Sequence, residues 1–294
     1  MDILTDNPAA LVAAAIRALS VGVALLAAGT VLVNTLWMDA DAMRASGSPR
    51  TALSASVVAV VALLVDWVNT ARLLYGDAGS AVDPLIIQSA LDTPLGQFYA
   101  VALAGLAWLF FATIGARTLP YLAVPGALAV IASVGLVGHT LDEPRALLYA
   151  LLTLHIGFAA MWMGVLMPLS RLTRQPRNRG YAADLAEDLG RGGFVLLPSI
   201  ALAAGYLGWL LLGQPTSVPT HAYAQLMLVK VLLFLALVAV GAFNRFVIVP
   251  RLHDSLGAGA WLRVTIALEA LLFAAILLAV AVTTDNVHPR PLPG

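Results

Sequence analysis

The chain has 294 residues, 61% of them hydrophobic and 11% charged, and its 16 basic and 16 acidic residues give a formal net charge of zero. A soluble domain is about half apolar and a quarter charged, so this composition, with a mean hydropathy of +0.90, indicates an integral membrane protein. Zero net charge argues against nucleic acid as a partner. The absence of cysteine excludes disulfides, iron–sulfur clusters and thiolate metal sites, leaving His, Met and carboxylates as the ligands for any soft metal.

The apolar runs are continuous rather than alternating, which excludes a transmembrane β-barrel and makes the spans helices. The opening segment MDILTDNPAA lacks a basic region and carries two aspartates, so no cleaved signal peptide is expected. At about 20 apolar residues per crossing, the sequence predicts eight spans. They cover 9–37, 52–76, 95–116, 119–138, 145–169, 192–213, 222–249 and 261–284. Arg44, Arg50, Arg117, Arg171, Arg174, Arg177, Arg179, Arg191, Arg245, Arg251 and Arg263 all fall in or beside odd-numbered loops. Basic loops face the cytoplasm, so both termini are expected outside. The even-numbered loops carry Asp77, Asp83, Asp92, His139, Asp142, Glu143 and His221.

A weak internal repeat accompanies this pattern. Gln97 precedes Arg117, and Gln225 precedes Arg245, at the same spacing. Leu19-Ser20-Val21-Gly22 with Gly29 in the first span matches Leu154-His155-Ile156-Gly157 with Gly164 in the fifth. Trp67 and Trp209 correspond in the second and sixth. The expected fold is therefore all-α, with eight transmembrane helices as two fused parallel four-helix repeats, residues 1–138 and 139–294. An even-numbered unit keeps both halves in one orientation, related by an axis along the membrane normal.

Ionisable groups inside a membrane are costly and usually face protein or a wet cavity. Arg17, Asp66, His155 and Lys230, the chain's only lysine, lie within the outer half of their spans, and Glu269 lies deeper. Lys230 is eight residues in from Ala222, ~12 Å at the helical rise, so both a snorkelling and a functional reading stand. Asp66, Asn69 and Thr70 form a polar stripe at i, i+3 and i+4. An Arg17–Asp66 ion pair that only fixes helix packing is the structural alternative to a polar path. His155 is a candidate metal ligand or proton relay, with Trp162 and Met163 on roughly its face. A lone histidine inside the bilayer disfavours bis-histidine haem, so no haem is expected. No phosphate loop, nucleophile elbow or HExxH motif occurs, and no enzyme activity is expected.

Four stretches carry a family resemblance: GHT at 138–140, LHIGFAAMWMGVLMPL at 154–169, YAQLMLVKVLLFLALVAVGAFNRFVIVPRL at 223–252 and LEALLFAAILLAVAVTTDNVHP at 268–289. Together they resemble the copper resistance protein D (CopD) family of bacterial inner-membrane proteins, closely over 138–289 and more weakly over 10–125. The resemblance implies copper transport or uptake across the inner membrane, copper homeostasis or resistance, and a periplasmic copper-binding protein of the CopC type as donor. It carries over His139, His155, Trp162, Lys230, Asn244, Arg245 and Glu269, with Asn244 and Arg245 at the cytoplasmic end. Relatives often place a histidine where this chain has Ser20, and a glycine where it has Ala224.

The resulting expectation is a copper path. It begins at an outer face bearing His139, His221, His288 and Asp2 and continues past Arg17, Asp66, Asn69, His155, Trp162, Met163, Lys230 and Glu269. The partners expected are copper ion, the lipid bilayer and a CopC-type protein, and a homo-oligomer is compatible with the sequence. The competing readings are a haem- or quinone-binding redox subunit and a non-transporting scaffold for a periplasmic copper chaperone.

Overall fold

A computed structural model describes residues 8–115, 120–137, 145–212, 222–252 and 255–286, and every regular element among them is helical. In chain order these are α1 (Pro8–Leu36), α2 (Ala40–Ser46), α3 (Ser48–Tyr75), α4 (Pro84–Leu91), α5 (Pro94–Gly115), α6 (Val124–Val134), α7 (Arg145–Leu172), α8 (Arg179–Leu212), α9 (Ala222–Phe243) and α10 (Leu256–Asn286). Among the described residues, six helical stretches are long and apolar enough to cross a membrane: 8–36, 48–75, 94–115, 146–172, 225–251 and 257–283. They coincide with the predicted first, second, third, fifth, seventh and eighth spans. The predicted fourth corresponds to a shorter apolar stretch, Pro120–Val134, which opens with a 3-10 turn at Pro120–Ala123.

The predicted sixth span forms the second part of α8. Residues 179–191, expected as a basic loop, continue the same helix toward its start. Their polarity concealed good helix formers, and Arg191 reaches both Glu187 and Asp188 at 3.3 Å, the i, i+4 and i, i+3 pairs that support an exposed helix. At the other turn of this kind, Gly47 adopts φ 64°. It ends α2 and starts α3, a left-handed position that suits a residue without Cβ. Arg171 reinforces the corner, donating to Thr51 Oγ1 at 2.7 Å and to the carbonyls of Ser46 and Gly47 at 3.4 Å.

α1 is the centre of the bundle. It packs against α3, α5, α6, α7 and α10. Residues 27–34 are all buried, more than two full turns, so this helix is enclosed on every side. Small side chains make that possible: Ala24, Ala27, Ala28 and Thr30 are all at most 4% exposed, and Gly29 is buried among them. The closest approach is to α7. A Cβ on Gly29 would lie 1.7 Å from the carbonyl oxygen of Ala160, and one on Gly164 would lie 2.2 Å from the carbonyl carbon of Gly29. The two backbones touch, the packing that small residues permit between membrane helices. Around this crossing lie two apolar clusters. One contains Leu63, Phe98, Leu106, Leu109 and Ile131. The other contains Phe158, Trp162, Leu237, Leu262 and Phe273. Met161 and Met163 pack against both.

Gly29→Leu or Gly164→Val cannot fit without separating α1 from α7. Either is expected to cost at least about 3 kcal/mol, the upper range for overpacking a filled core. Gly157→Ala, whose Cβ would have only Ile131 Cγ2 at 3.8 Å, serves as the control and should leave the thermal unfolding midpoint of the detergent-solubilised protein nearly unchanged.

Candidate functional sites

The predicted polar residues fall into two groups. The first joins α1, α3 and α5. Arg17 donates from Nε to Asp66 Oδ2 at 2.6 Å, and from Nη2 to Tyr99 Oη at 2.9 Å and Thr70 Oγ1 at 3.2 Å. Tyr99 donates its hydroxyl to Asp66 Oδ2 at 2.9 Å. Ser20, the position where relatives often carry histidine, gives a longer contact to the same oxygen at 3.4 Å and also donates to the Arg17 carbonyl at 2.9 Å. Asp66 is 1% exposed. The guanidinium carbon lies 5.6 Å from the Tyr99 ring centroid and 5.8 Å from that of Phe98, within cation–π range. Trp67 meets Tyr99 edge-on at 5.4 Å.

This group is a charge pair closed by hydroxyls and aromatic faces. The polar stripe predicted on α3 therefore divides: Asp66 and Thr70 enter the network, whereas Asn69 accepts a hydrogen bond from Arg72 on its own helix at 3.3 Å. Tyr99 was not among the sequence candidates, although a tyrosine inside an apolar helix is a signal of a buried polar partner.

The second group joins α7, α9 and α10. Glu269, only 3% exposed, stands near the middle of its apolar stretch, because α10 begins at Leu256 rather than near 261. Its Oε1 accepts from Asn244 Nδ2 at 2.8 Å, and its Oε2 accepts from Trp162 Nε1 at 3.2 Å. The indole is fixed edge-to-face by Phe158 at 5.9 Å and Phe273 at 5.8 Å. It lies close against α9 because Gly241 has no side chain; a Cβ there would sit 2.8 Å from Trp162 Cζ2.

Asn244 opens a π-turn, Asn244–Ile248, followed by a 3-10 turn at Val249–Arg251. Pro250 explains the departure from α geometry. Its ring would clash with the carbonyl four residues earlier in a regular helix, and the wider turn accommodates it. Such π-bulges recur at functional sites. Asn244 Oδ1 is buried with no hydrogen-bond partner among the described residues, a condition that typically costs about 1–3 kcal/mol.

Trp162, Asn244, Arg245 and Glu269 all line one cavity of about 350 Å³ between α7, α8, α9 and α10. A carboxylate offers about four acceptor sites, and two protein donors reach Glu269. The cavity's polar end thus presents oxygen acceptors able to take a proton, a hydrogen-bond donor or a cation that accepts oxygen ligands.

Of the other candidates, His155 lies on α7 two turns before Trp162, ~10 Å along the axis. Lys230 is half-buried on α9, ~21 Å before Asn244. Met163 is part of the packing between the two apolar clusters. His139, His221, His288 and Asp2 lie outside the described residues, as do Arg117, Asp142 and Glu143. Among the described residues no group of three or more His, Asp or Glu side chains is placed to hold a metal ion.

The Arg17–Asp66 pair predicts a non-additive mutant cycle. Arg17→Met removes the cation paired with buried Asp66, and Asp66→Leu removes the anion paired with Arg17; each alone should cost about 3–5 kcal/mol. The double variant, read by unfolding midpoint in detergent, should recover much of that loss; equal additive losses would contradict the pairing.

Neither the curated proteins nor the solved structures yield a match to the chain. Residues 188–283 match the family model described as copper resistance protein D. That stretch covers most of α8, all of α9 and most of α10, and it includes Lys230, Asn244, Arg245 and Glu269. The stretch that matches the copper resistance protein D model, about a third of the chain, thus supplies the two polar residues that meet at the cavity, Asn244 and Glu269.

Proposed function

We propose that the protein moves copper ions across a bacterial inner membrane and so contributes to copper homeostasis or resistance. The observation that carries this reading is the coincidence of the CopD-matching segment with Asn244 and Glu269. That segment provides a buried carboxylate in mid-helix, where a charge is costly and usually functional. Copper would enter at the outer face through the acidic and histidine-bearing loops, where His139, His221, His288 and Asp2 are the candidate first ligands. A periplasmic CopC-type protein would be the donor. His155 would receive the ion within α7, and Glu269 would accept it on the inward side of Trp162. Asn244 and Arg245 would lie at the cytoplasmic exit. Lys230 would act as a counter-charge that weakens binding enough for release. No catalytic step belongs to this reading.

The same reading includes eight crossings, both termini outside and two fused four-helix repeats. The repeat is supported by the α1–α7 crossing, since Gly29 and Gly164, equivalent positions in the aligned sequence, pack on each other. A two-fold axis through that contact would relate the two halves. The Arg17–Asp66–Tyr99 network supports a packing role for the first half. Asp66 already has its cation in Arg17.

Whole-cell copper content tests the proposal. Overexpression and deletion should shift it in opposite directions, and Glu269→Gln and His155→Ala, present in the membrane at wild-type amounts, should abolish the overexpression effect. Unchanged copper in both strains would favour the scaffold reading instead. A Soret band in the purified protein that disappears in His155→Ala would replace transport with a haem function.

A further inference from the structure

The cavity beside Glu269 has features that passage of a metal ion does not use. Its walls are mostly apolar, with Phe158, Trp162, Phe194 and Phe246 among them. Phe194 on α8 and Phe246 on the π-turn meet edge-on at 6.4 Å, and each is 65% exposed. Both rings line the cavity, and Phe246 belongs to the 225–251 stretch that is long and apolar enough to cross a membrane, so a mouth between them would face the bilayer. At its inner end Asn244 and Glu269 leave acceptors to serve a ligand, with Arg245 on the same wall. Asn244 Oδ1 is buried without a hydrogen-bond partner among the described residues. Its orientation is fixed, because Nδ2 is engaged by Glu269 Oε1. Glu269 itself retains acceptor sites beyond those used by Trp162 and Asn244.

A volume of about 350 Å³ is at the lower end for small-molecule pockets. It admits a substituted ring with a tail leaving through the mouth. An aromatic ring would find the edge-to-face partners that such walls provide. The buried acceptor Asn244 Oδ1 calls for donation, and a hydroxyl on a ring, carried on an apolar tail, meets that need; the hydroxyl oxygen also suits the Arg245 donors on the same wall.

We infer that this cavity binds a lipid-soluble hydroxyaromatic molecule, of the phenol or quinol class, entering from the bilayer between Phe194 and Phe246 and donating its hydroxyl to Asn244 Oδ1 beside Glu269. Gly241 keeps the Trp162 indole close to α9, and Gly193 on α8 leaves the cavity its width. Arg245 lies at the same wall, its Nε 2.6 Å from where a Cβ on Gly190 would be. The inference goes beyond copper passage and does not rest on it.

The test uses the full-length protein in phosphatidylcholine nanodiscs without added copper. The probes are 4-heptylphenol and 4-heptylanisole, which share ring and tail and differ in the donor. The phenol should bind saturably at one site per chain and at least about tenfold more tightly than the anisole, the discrimination expected when a buried acceptor is left unmet. Asn244→Ala should remove that discrimination. Gly193→Leu, which keeps the polar end and fills the space, should abolish saturable binding of both probes. A Cβ at Gly193 meets only Leu197 Cδ1 at 3.8 Å, so this second variant has room to begin its side chain and keeps the test decisive if Asn244→Ala does not fold. Equal binding of phenol and anisole would identify an acyl-chain cleft and overturn the inference. So would phenol binding that Gly193→Leu leaves intact, or no saturable binding to the wild type.

Discussion

The bundle depends on the contact between Gly29 and Gly164. In lipid, helices gain little from hiding apolar surface, so association rests on close packing and on polar contacts. The α1–α7 crossing takes close packing to its limit, backbone against backbone. That approach draws α1 into the centre, and the helix is small-residued where it must admit five neighbours. Once α1 is central, the two apolar clusters lie on either side of it, and Met161 and Met163 can fill against both.

The two polar groups handle the cost of buried charge differently. Arg17 and Asp66 neutralise each other, and three hydroxyls and two aromatic faces complete the shell. A network satisfied to that degree is suited to rigidity. Glu269 has a sparser shell: an indole N–H and an amide. Its neighbour Asn244 has an oxygen with no hydrogen-bond partner among the described residues, and a cavity adjoins both. A carboxylate kept in apolar surroundings with acceptor capacity to spare is poised to meet something that arrives. This contrast separates the packing element from the candidate site more sharply than depth in the membrane does.

Much of this was legible in the sequence because membrane helices report themselves through length and hydropathy. The six qualifying stretches lie where apolar runs predicted spans. The Arg17–Asp66 pairing was legible as an alternative, since two opposite charges at similar depth have few other partners. Trp162, Asn244 and Glu269 were singled out individually, but their meeting was not, because it needs the register of three helices at once. The π-turn had a cause in the sequence, Pro250, but hydropathy is blind to a change from i+4 to i+5 hydrogen bonding. The helical start of α8 was missed because its charges resemble those of a loop, although Arg191 and its acidic neighbours are spaced for a helix. Four of the five candidate metal ligands fall in segments outside the described residues, so the outer face is known only through its sequence.

The central position of α1 has a consequence for assembly. α1 is the earliest of the described helices, and α10, which packs against it, is the last. During synthesis α1 must therefore wait in the membrane with part of its surface uncovered. The charge pair makes that wait tolerable. Arg17 and Asp66 belong to α1 and α3, consecutive among the membrane-length helices, so the first hairpin to insert can neutralise its own charges before any later membrane-length helix arrives. Glu269 arrives with the last helix, when Trp162 and Asn244 are already available to receive it. The order of the helices along the chain thus lets each costly group enter the bilayer when its partners are at hand.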